Sequence, residues 1–243
     1  MSPEPLRLLG LIPVGHVNVR PQRVRRFGRL LMKLSPAADN MSVIEGFILT
    51  GGASSRMGES KAHLRLGGQT FVARAREALA AIASQVSVVS SHVGDEAFGL
   101  AVVPDIYEGA GALGGLHAAL TAARADWIAI VSCDLPFVSG ELFVRLAAFV
   151  RADADAVAPV QEDGRLQPLC ALYRREPCLA TAEALLRAGE LRPRALLGRL
   201  RTRLVKFAEL SDLAGAPLFF RNVNTPEDYA AAARELAALK TEG

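Results

Sequence analysis

Val43 to Gly52 reads V-I-E-G-F-I-L-T-G-G, and Ala53 to Lys61 continues A-S-S-R-M-G-E-S-K. The first part is an apolar run that stops at two glycines, which is how a buried strand passes into a loop. Glycines at that point let backbone N–H groups approach phosphate oxygens with no Cβ in the way, and Arg56 and Lys61 bring charge to the same oxygens. A strand followed at once by such a loop opens a nucleotide-binding α/β domain. A Walker A loop would need G-x-x-x-x-G-K-[ST]. Here Gly58 is followed by Glu59-Ser60-Lys61, so a P-loop NTPase is disfavoured.

Downstream the same alternation repeats. Phe71 to Ser84 carries Phe71, Val72, Ala75, Leu79 and Ile82 on one helical face, and Val86 to Ser90 and Ala101 to Val103 read as strands. Gly114 to Arg124 reads as a helix. Trp127 to Cys133 is a continuous apolar run of the kind buried on both faces of a parallel sheet. Ser139 can cap a helix through Val150, Ala154 to Val160 and Pro168 to Tyr173 read as strands, and Pro177 to Ala188 is a helix stopped by Gly189. A short helix follows Pro193. Thr225-Pro226-Glu227-Asp228 supplies an N-cap, a proline at the first helical position and an acid three residues after the cap, opening a helix through Leu239. The expectation is a single domain over residues 41–243, a Rossmann-like three-layer α/β/α sandwich with an open, mostly parallel sheet. In such sheets the ligand sits outside the carboxyl ends of the strands.

Composition agrees with a globular chain: 243 residues, 51% hydrophobic and 22% charged. No apolar stretch reaches the ~18 uncharged residues of a membrane span. The formal charge of +3 is uneven, because residues 1–40 carry seven basic side chains (Arg7, Arg20, Arg23, Arg25, Arg26, Arg29, Lys33) against Glu4 and Asp39, which leaves the rest at −2. The body therefore lacks the basic stripe that grips nucleic acid. Residues 1–40 hold several prolines and no sustained periodicity, and read as a basic, disordered arm; Met41, just before the first strand, marks where folding should begin. Cys133, Cys170 and Cys178 form no C-x-x-C pair, and no signal peptide is evident, so a reducing cytoplasm is expected.

Three further stretches carry chemistry. Gly109-Ala110-Gly111-Ala112-Leu113-Gly114 matches G-x-G-x-x-G, but it lies several residues after a third strand instead of turning directly from the first, so it reads as the wall of a nucleotide site and not as a dinucleotide fingerprint. Cys133-Asp134-Leu135-Pro136 ends the most buried strand with a carboxylate able to hold Mg²⁺ while phosphate and water complete the shell. Asp105, also at a strand end, is either a nucleotide ligand or a plain turn residue. Asn222 and Asn224 are open to capping or ligand roles alike. His63, His92 and His117 share no metal-ligand spacing and read as structural or surface residues. Cys170 and Cys178 read as packed core thiols.

Taken together, L-T-G-G-x-x-S-R-M-G-x-x-K, the P-D and G-A-L-G-G-L segments, C-D-L-P, Q-P-L-C-A-L-Y and N-V-N-T-P-E-D resemble the molybdenum cofactor guanylyltransferase family, in that family's order, from about residue 43 to 235. The resemblance implies a nucleotidyltransferase fold. It implies that Leu49, Thr50, Gly51 and Lys61 contact GTP, Arg56 its phosphates, Ser90 and Asp105 the guanosine, and Asp134 both nucleotide and Mg²⁺. It also puts Gly111 and Gly115 in the active-site loop and matches Asn222 and Asn224 to the family's asparagine pair near the active site. Gly51-Gly52, where related cytidylyltransferases resemble L-A-A-G, favours guanine. The chain departs from the family at Ser60, usually Asp, at Ala112, usually Pro, and at Ser90, which aligns with an asparagine.

The activity so implied is transfer of GMP from GTP to the molybdenum-molybdopterin cofactor by a Mg²⁺-dependent, monomeric enzyme, with molybdoenzyme apoproteins or their chaperones as recipients and neither nucleic acid nor membrane as partner. Two rivals stand beside it. One is a cytidylyltransferase or sugar-phosphate nucleotidyltransferase of the same fold, which CTP competing better than GTP would reveal. The other is a non-catalytic delivery protein, which would bind GTP and cofactor and release no pyrophosphate.

Overall fold

The computed structural model describes residues 43–51, 61–90, 99–107 and 109–241. The expectations for the arm, Gly52, Arg56 and His92 lie outside these. Among the described residues nine strands form: β1 (Ile44–Leu49), β2 (Arg65–Leu66), β3 (Gln69–Thr70), β4 (Gln85–Ser90), β5 (Ala101–Pro104), β6 (Trp127–Ser132), β7 (Ala156–Pro159), β8 (Cys170–Arg174) and β9 (Thr202–Val205). The helices are α1 (Phe71–Leu79), α2 (Gly111–Ala122), α3 (Gly140–Ala147), α4 (Arg175–Arg187), α5 (Pro193–Leu197) and α6 (Pro226–Thr241).

Seven strands make one sheet in the order β5-β4-β1-β6-β8-β7-β9, and β2 and β3 pair as a separate hairpin. All pairings in the main sheet are parallel except those of β8, which runs antiparallel to both β6 and β7. The cause is chain length. A parallel return needs a crossover of about a dozen residues or more. Between β7 and β8 the chain instead folds back on itself, bridging Val160 to Leu166 with Gly164 at φ +83°.

Side-chain alternation divides the core between the two faces. Ile44, Ile48, Trp127, Ala129, Val131, Cys170 and Leu172 pack with Val72, Leu79, Leu142 and Phe143, which α1 and α3 contribute. Phe47, Leu49, Ile128, Ile130, Ala171 and Tyr173 pack with Leu113, Leu116, Leu120, Cys178 and Leu196 from α2, α4 and α5. Strands β1, β6 and β8 are thus apolar at nearly every position because both faces are covered. A third cluster of Leu66, Phe71, Val223 and Ala232 seats α6 against the small hairpin.

The three-layer, mostly parallel architecture matches the sequence expectation. Differences lie at element ends and in the short strands. α1 stops at Leu79 instead of running to Ser84, because Ile82 N–H turns back to Leu79 O at 3.0 Å, three residues behind it. α2 begins at Gly111, three residues before the expected start at Gly114. The Ser139 cap is present, with its hydroxyl accepting Leu142 N–H at 3.3 Å, and so is the cap at Thr225, which accepts Asp228 N–H at 3.1 Å. Burial pushes the thiols of Cys170 and Cys178 up, which keeps both protonated and inert, as packed core thiols should be.

One charged group lies within this frame. Asp155, 5% exposed, receives both arms of the Arg201 guanidinium, at 2.8 and 2.6 Å, and fastens the start of β7 to the turn before β9. Hydrogen bonding from Arg201 holds its carboxyl below the ordinary 3.8. A carboxyl depressed in the folded state stabilises above its unfolded pKa and loses that contribution as pH falls through the folded value. Asp155→Asn is therefore expected to lower the melting temperature at neutral pH by about 5 °C, the scale of one or two charge-assisted hydrogen bonds in a chain of this size. The gap between variant and wild type should close below the ordinary aspartate value, which melting curves taken across pH would reveal. Among the described residues no helix is long and apolar enough to cross a membrane.

Candidate functional site

The strand register assembles the site. Ser90 pairs with Pro104, Val89 with Leu49, and Leu49 with Ser132, so the carboxyl ends of β5, β4, β1 and β6 form one row. The residues that leave this row are Asp105, Ser90, Thr50, Gly51 and Asp134. Sequence positions that span 85 residues thus converge on one sheet edge, as an open parallel sheet requires of its ligand site.

Each position is held by its own bond. Thr50 donates both its N–H and its hydroxyl to Val89 O, at 3.1 and 3.0 Å, so this side chain pins the end of β1 to β4. Gly51 is exposed, and no described atom lies within 4 Å of where a Cβ would stand, so glycine here leaves its backbone open to an approaching ligand. Cys133 N–H donates to Leu49 O at 3.0 Å and brings the turn after β6 beside β1. Asp134, half-buried in that turn, accepts Val223 N–H on its backbone carbonyl at 2.9 Å. That single bond draws the distant Asn222-Val223-Asn224 segment to the site. Val223 is fully buried, while Asn222 and Asn224 on either side are exposed. The carboxylate of Asp228 accepts the N–H groups of Asn224 and Thr225 at 2.9 and 3.0 Å, and these bonds hold its pKa below the usual carboxylate range.

Across the row, Ser90 is 4% exposed and its carbonyl accepts Asp105 N–H at 3.4 Å. Asp105 Oδ1 accepts Tyr107 N–H at 3.2 Å and folds the chain back over the start of α2. Gly111 opens that helix at φ +60°, a conformation that side chains with a Cβ seldom adopt. Among the described residues no side chain caps α2 at Ala110. Gly111 and Gly115 are the glycines expected to matter here, but the most tightly packed glycine of α2 is Gly114. A Cβ there would stand 2.8 Å from Ala110 Cβ and 3.3 Å from Asp105 Oδ1, whereas one at Gly115 would meet Leu49 at an ordinary 3.7 Å. The sequence signal for this was present in the L-G-G spacing but did not distinguish the two glycines.

Lys61 opens a one-turn 3-10 helix, Lys61–His63, immediately after the glycine loop. Its neighbour Ala62 is fully buried in the core, which fixes the backbone from which the lysine projects. Arg56 and Gly52 lie outside the described residues.

Next in sequence to Asn222, Arg221 lines a groove of about 440 Å³ walled by Phe207, Leu218 and Phe220, whose rim also carries Glu162, Asp163 and Arg165, the last two paired at 2.6 Å. No motif flagged it, since its residues come from three separated loops. A divalent cation would find Asp134 as a partly exposed carboxylate at the nucleotide edge. Among the described residues no group of three or more His, Cys, Asp or Glu side chains converges to hold a metal. One carboxylate with phosphate and water is the usual Mg²⁺ pattern, so the donor set fits that ion and not a tightly caged one.

Comparison with known proteins places this geometry. Residues 46–204 match the profile of the MobA-like NTP transferase domain. The chain belongs to the MobA-like nucleotidyltransferase family. Its relatives include a protein of Pelotomaculum thermopropionicum, described as a "probable molybdenum cofactor guanylyltransferase", 35% identical over 75% of this chain and 88% of that protein. A Bacillus cereus protein of the same description is 34% identical over 81% of this chain and 99% of its own length. Among solved structures, molybdopterin-guanine dinucleotide biosynthesis protein A of Archaeoglobus fulgidus superposes with a TM-score of 0.68 at 23% identity, over 80% of this chain and 99% of that one. The 2-C-methyl-D-erythritol 4-phosphate cytidylyltransferase of Thermus thermophilus shares the fold at TM-score 0.58 and 19% identity, over 82% of this chain and 99% of that one. The fold of this MobA-like chain is thus shared with a protein named as a cytidylyltransferase as well as one named for a guanine dinucleotide, so the fold by itself does not set the base.

Proposed function

We propose that this protein transfers GMP from GTP to the molybdenum-molybdopterin cofactor, forming molybdopterin guanine dinucleotide and pyrophosphate. The observation that carries the reading is the convergence of Leu49–Gly51, Ser90, Asp105, Asp134 and the Asn222–Asn224 segment on one sheet edge, in a chain whose relatives bear that activity in their names.

An oxygen of the acceptor's terminal phosphate bonds to the α-phosphorus of GTP, and the bond from that phosphorus to pyrophosphate breaks. The attacking group is already anionic at neutral pH, so no general base is required. The protein's work is alignment and charge neutralisation. Leu49 and Thr50, tied to β6 and β4, set the end of β1 from which Gly51 meets the nucleotide, Ser90 and Asp105 hold the guanosine, and Lys61 and Arg56 offset charge on the α-phosphate and the departing pyrophosphate. Asn222 and Asn224 face the acceptor, and the adjoining groove, with its aromatic wall and a rim of mixed charge, suits a flat polar ring system. Mg²⁺ held by Asp134 would supply further neutralisation of phosphate charge. Three free, buried cysteines among the described residues suit a reducing compartment, the cytoplasm.

Single-turnover incubation with molybdenum-loaded molybdopterin and either GTP or CTP, read by mass spectrometry, tests the reading. Guanine dinucleotide and one equivalent of pyrophosphate are expected from GTP, with little product from CTP. Preferential cytosine dinucleotide would overturn the base assignment, and binding without pyrophosphate release would make the protein a carrier.

A further inference from the structure

The turn that carries Asp105 rests on a residue outside the nucleotide edge. His117, in α2, is 4% exposed, and among the described residues neither of its ring nitrogens has a hydrogen-bond partner. Glu183 Oε1, on α4, stands 3.7 Å from Nε2, beyond hydrogen-bonding reach. A buried imidazole that forgoes both bonds is costly where an aliphatic side chain would not be, so its retention calls for another contact. That contact is Tyr107. The two ring centroids lie 5.0 Å apart with planes at 79°, the edge-to-face arrangement that aromatic quadrupoles favour.

Tyr107 is also the residue whose N–H binds Asp105 Oδ1, and that same oxygen lies against Gly114. Gly114 and His117 are three apart on α2 and so share one stripe of its surface. The turn therefore lies along the helix with the Asp105 carboxylate over the glycine and the Tyr107 ring over the imidazole. Among the described residues the turn is also tied by Ala110 N–H, which donates to Tyr107 O at 3.1 Å, and by Asp105 N–H, which donates to Ser90 O at a longer 3.4 Å, while Ile106 between them is 52% exposed. We infer that His117 is a positioning residue, which sets the Asp105 carboxylate for the nucleoside through the ring of Tyr107. The inference rests on the assignment of Asp105 to the nucleotide made above.

The test combines steady-state kinetics with equilibrium binding of GTP, CTP and ATP to the full chain, in His117→Leu, His117→Phe, Tyr107→Ala, the His117→Leu/Tyr107→Ala double variant and Asp105→Ala. Expected are a KM for the preferred triphosphate raised roughly fivefold in His117→Leu and in Tyr107→Ala, kcat within about twofold of wild type, and a double variant no worse than either single one. His117→Phe, which keeps an aromatic ring under Tyr107, should restore most of the affinity. A purely structural role would instead lower melting temperature with KM unmoved. Additive effects in the double variant, or an unchanged KM in His117→Leu while Asp105→Ala binds weakly, would overturn the inference and leave the guanylyltransferase reading intact. Tighter binding of CTP would overturn the base assignment and leave this test standing, and a wild type that binds none of the three triphosphates would sink both.

Discussion

Asp134→Ala should lose about two orders of magnitude in turnover, the scale of removing one preorganised charge from a phosphoryl-transfer site, while the chain folds as before. The second half of that expectation follows from where the bonds lie. What ties the Asn222–Asn224 segment to the edge is the backbone carbonyl of Asp134, which accepts Val223 N–H at 2.9 Å, and alanine retains it. The turn is further held by Cys133 N–H to Leu49 O at 3.0 Å and Leu135 N–H to Ser132 O at 3.2 Å, again backbone groups. Its flanking side chains, Cys133 and Leu135, are buried in the core and unaffected. Removing the carboxylate therefore deletes chemistry and spares architecture. Asp134→Asn should fall nearly as far, since an amide keeps the shape and loses the charge. Matched melting curves with a kcat within a few-fold of wild type would show that the carboxylate does not act in the transfer.

The strands around Asp134 were legible in the sequence because each is covered on both faces and so reads as a mostly apolar run, from Val43 to Thr50 with Glu45 interrupting it and from Trp127 to Cys133. The caps at Ser139 and Thr225 were equally legible, since a hydroxyl three residues before its N–H partner is a local pattern. What escaped was non-local. β9 carries Thr202 and Arg203 because it is an edge strand, and such strands lack the apolar run that marks a central one. The hairpin of β2 and β3 is two residues long on each side, too short for any period to show. The seat of Tyr107 on His117 joins a turn to a helix face through ring geometry, and composition holds no trace of it. The asparagine pair was ambiguous as spacing alone. Its place at the site depends on one backbone hydrogen bond that links residues 134 and 223.

Lys61→Ala is expected to reduce kcat/KM for GTP by roughly a hundredfold, with most of the loss in kcat, because the charge that builds on the α-phosphate and the departing pyrophosphate is greater in the transition state than in bound GTP. The backbone that carries the lysine is not free to adapt. Ala62, the next residue, is fully buried among core side chains, and Phe71 N–H donates to Leu64 O at 2.9 Å just beyond it, so the short 3-10 turn cannot slide another group into place. Lys61→Arg separates charge from geometry. A guanidinium keeps the charge on a longer, planar head, so an arginine variant that recovers only part of the rate means that the point charge of lysine must sit at one oxygen. Full recovery would mean that any cation at this edge suffices. A kcat unchanged in Lys61→Ala, with KM alone raised, would place the lysine on GTP in its ground state and shift the burden of charge neutralisation to Asp134 and its cation.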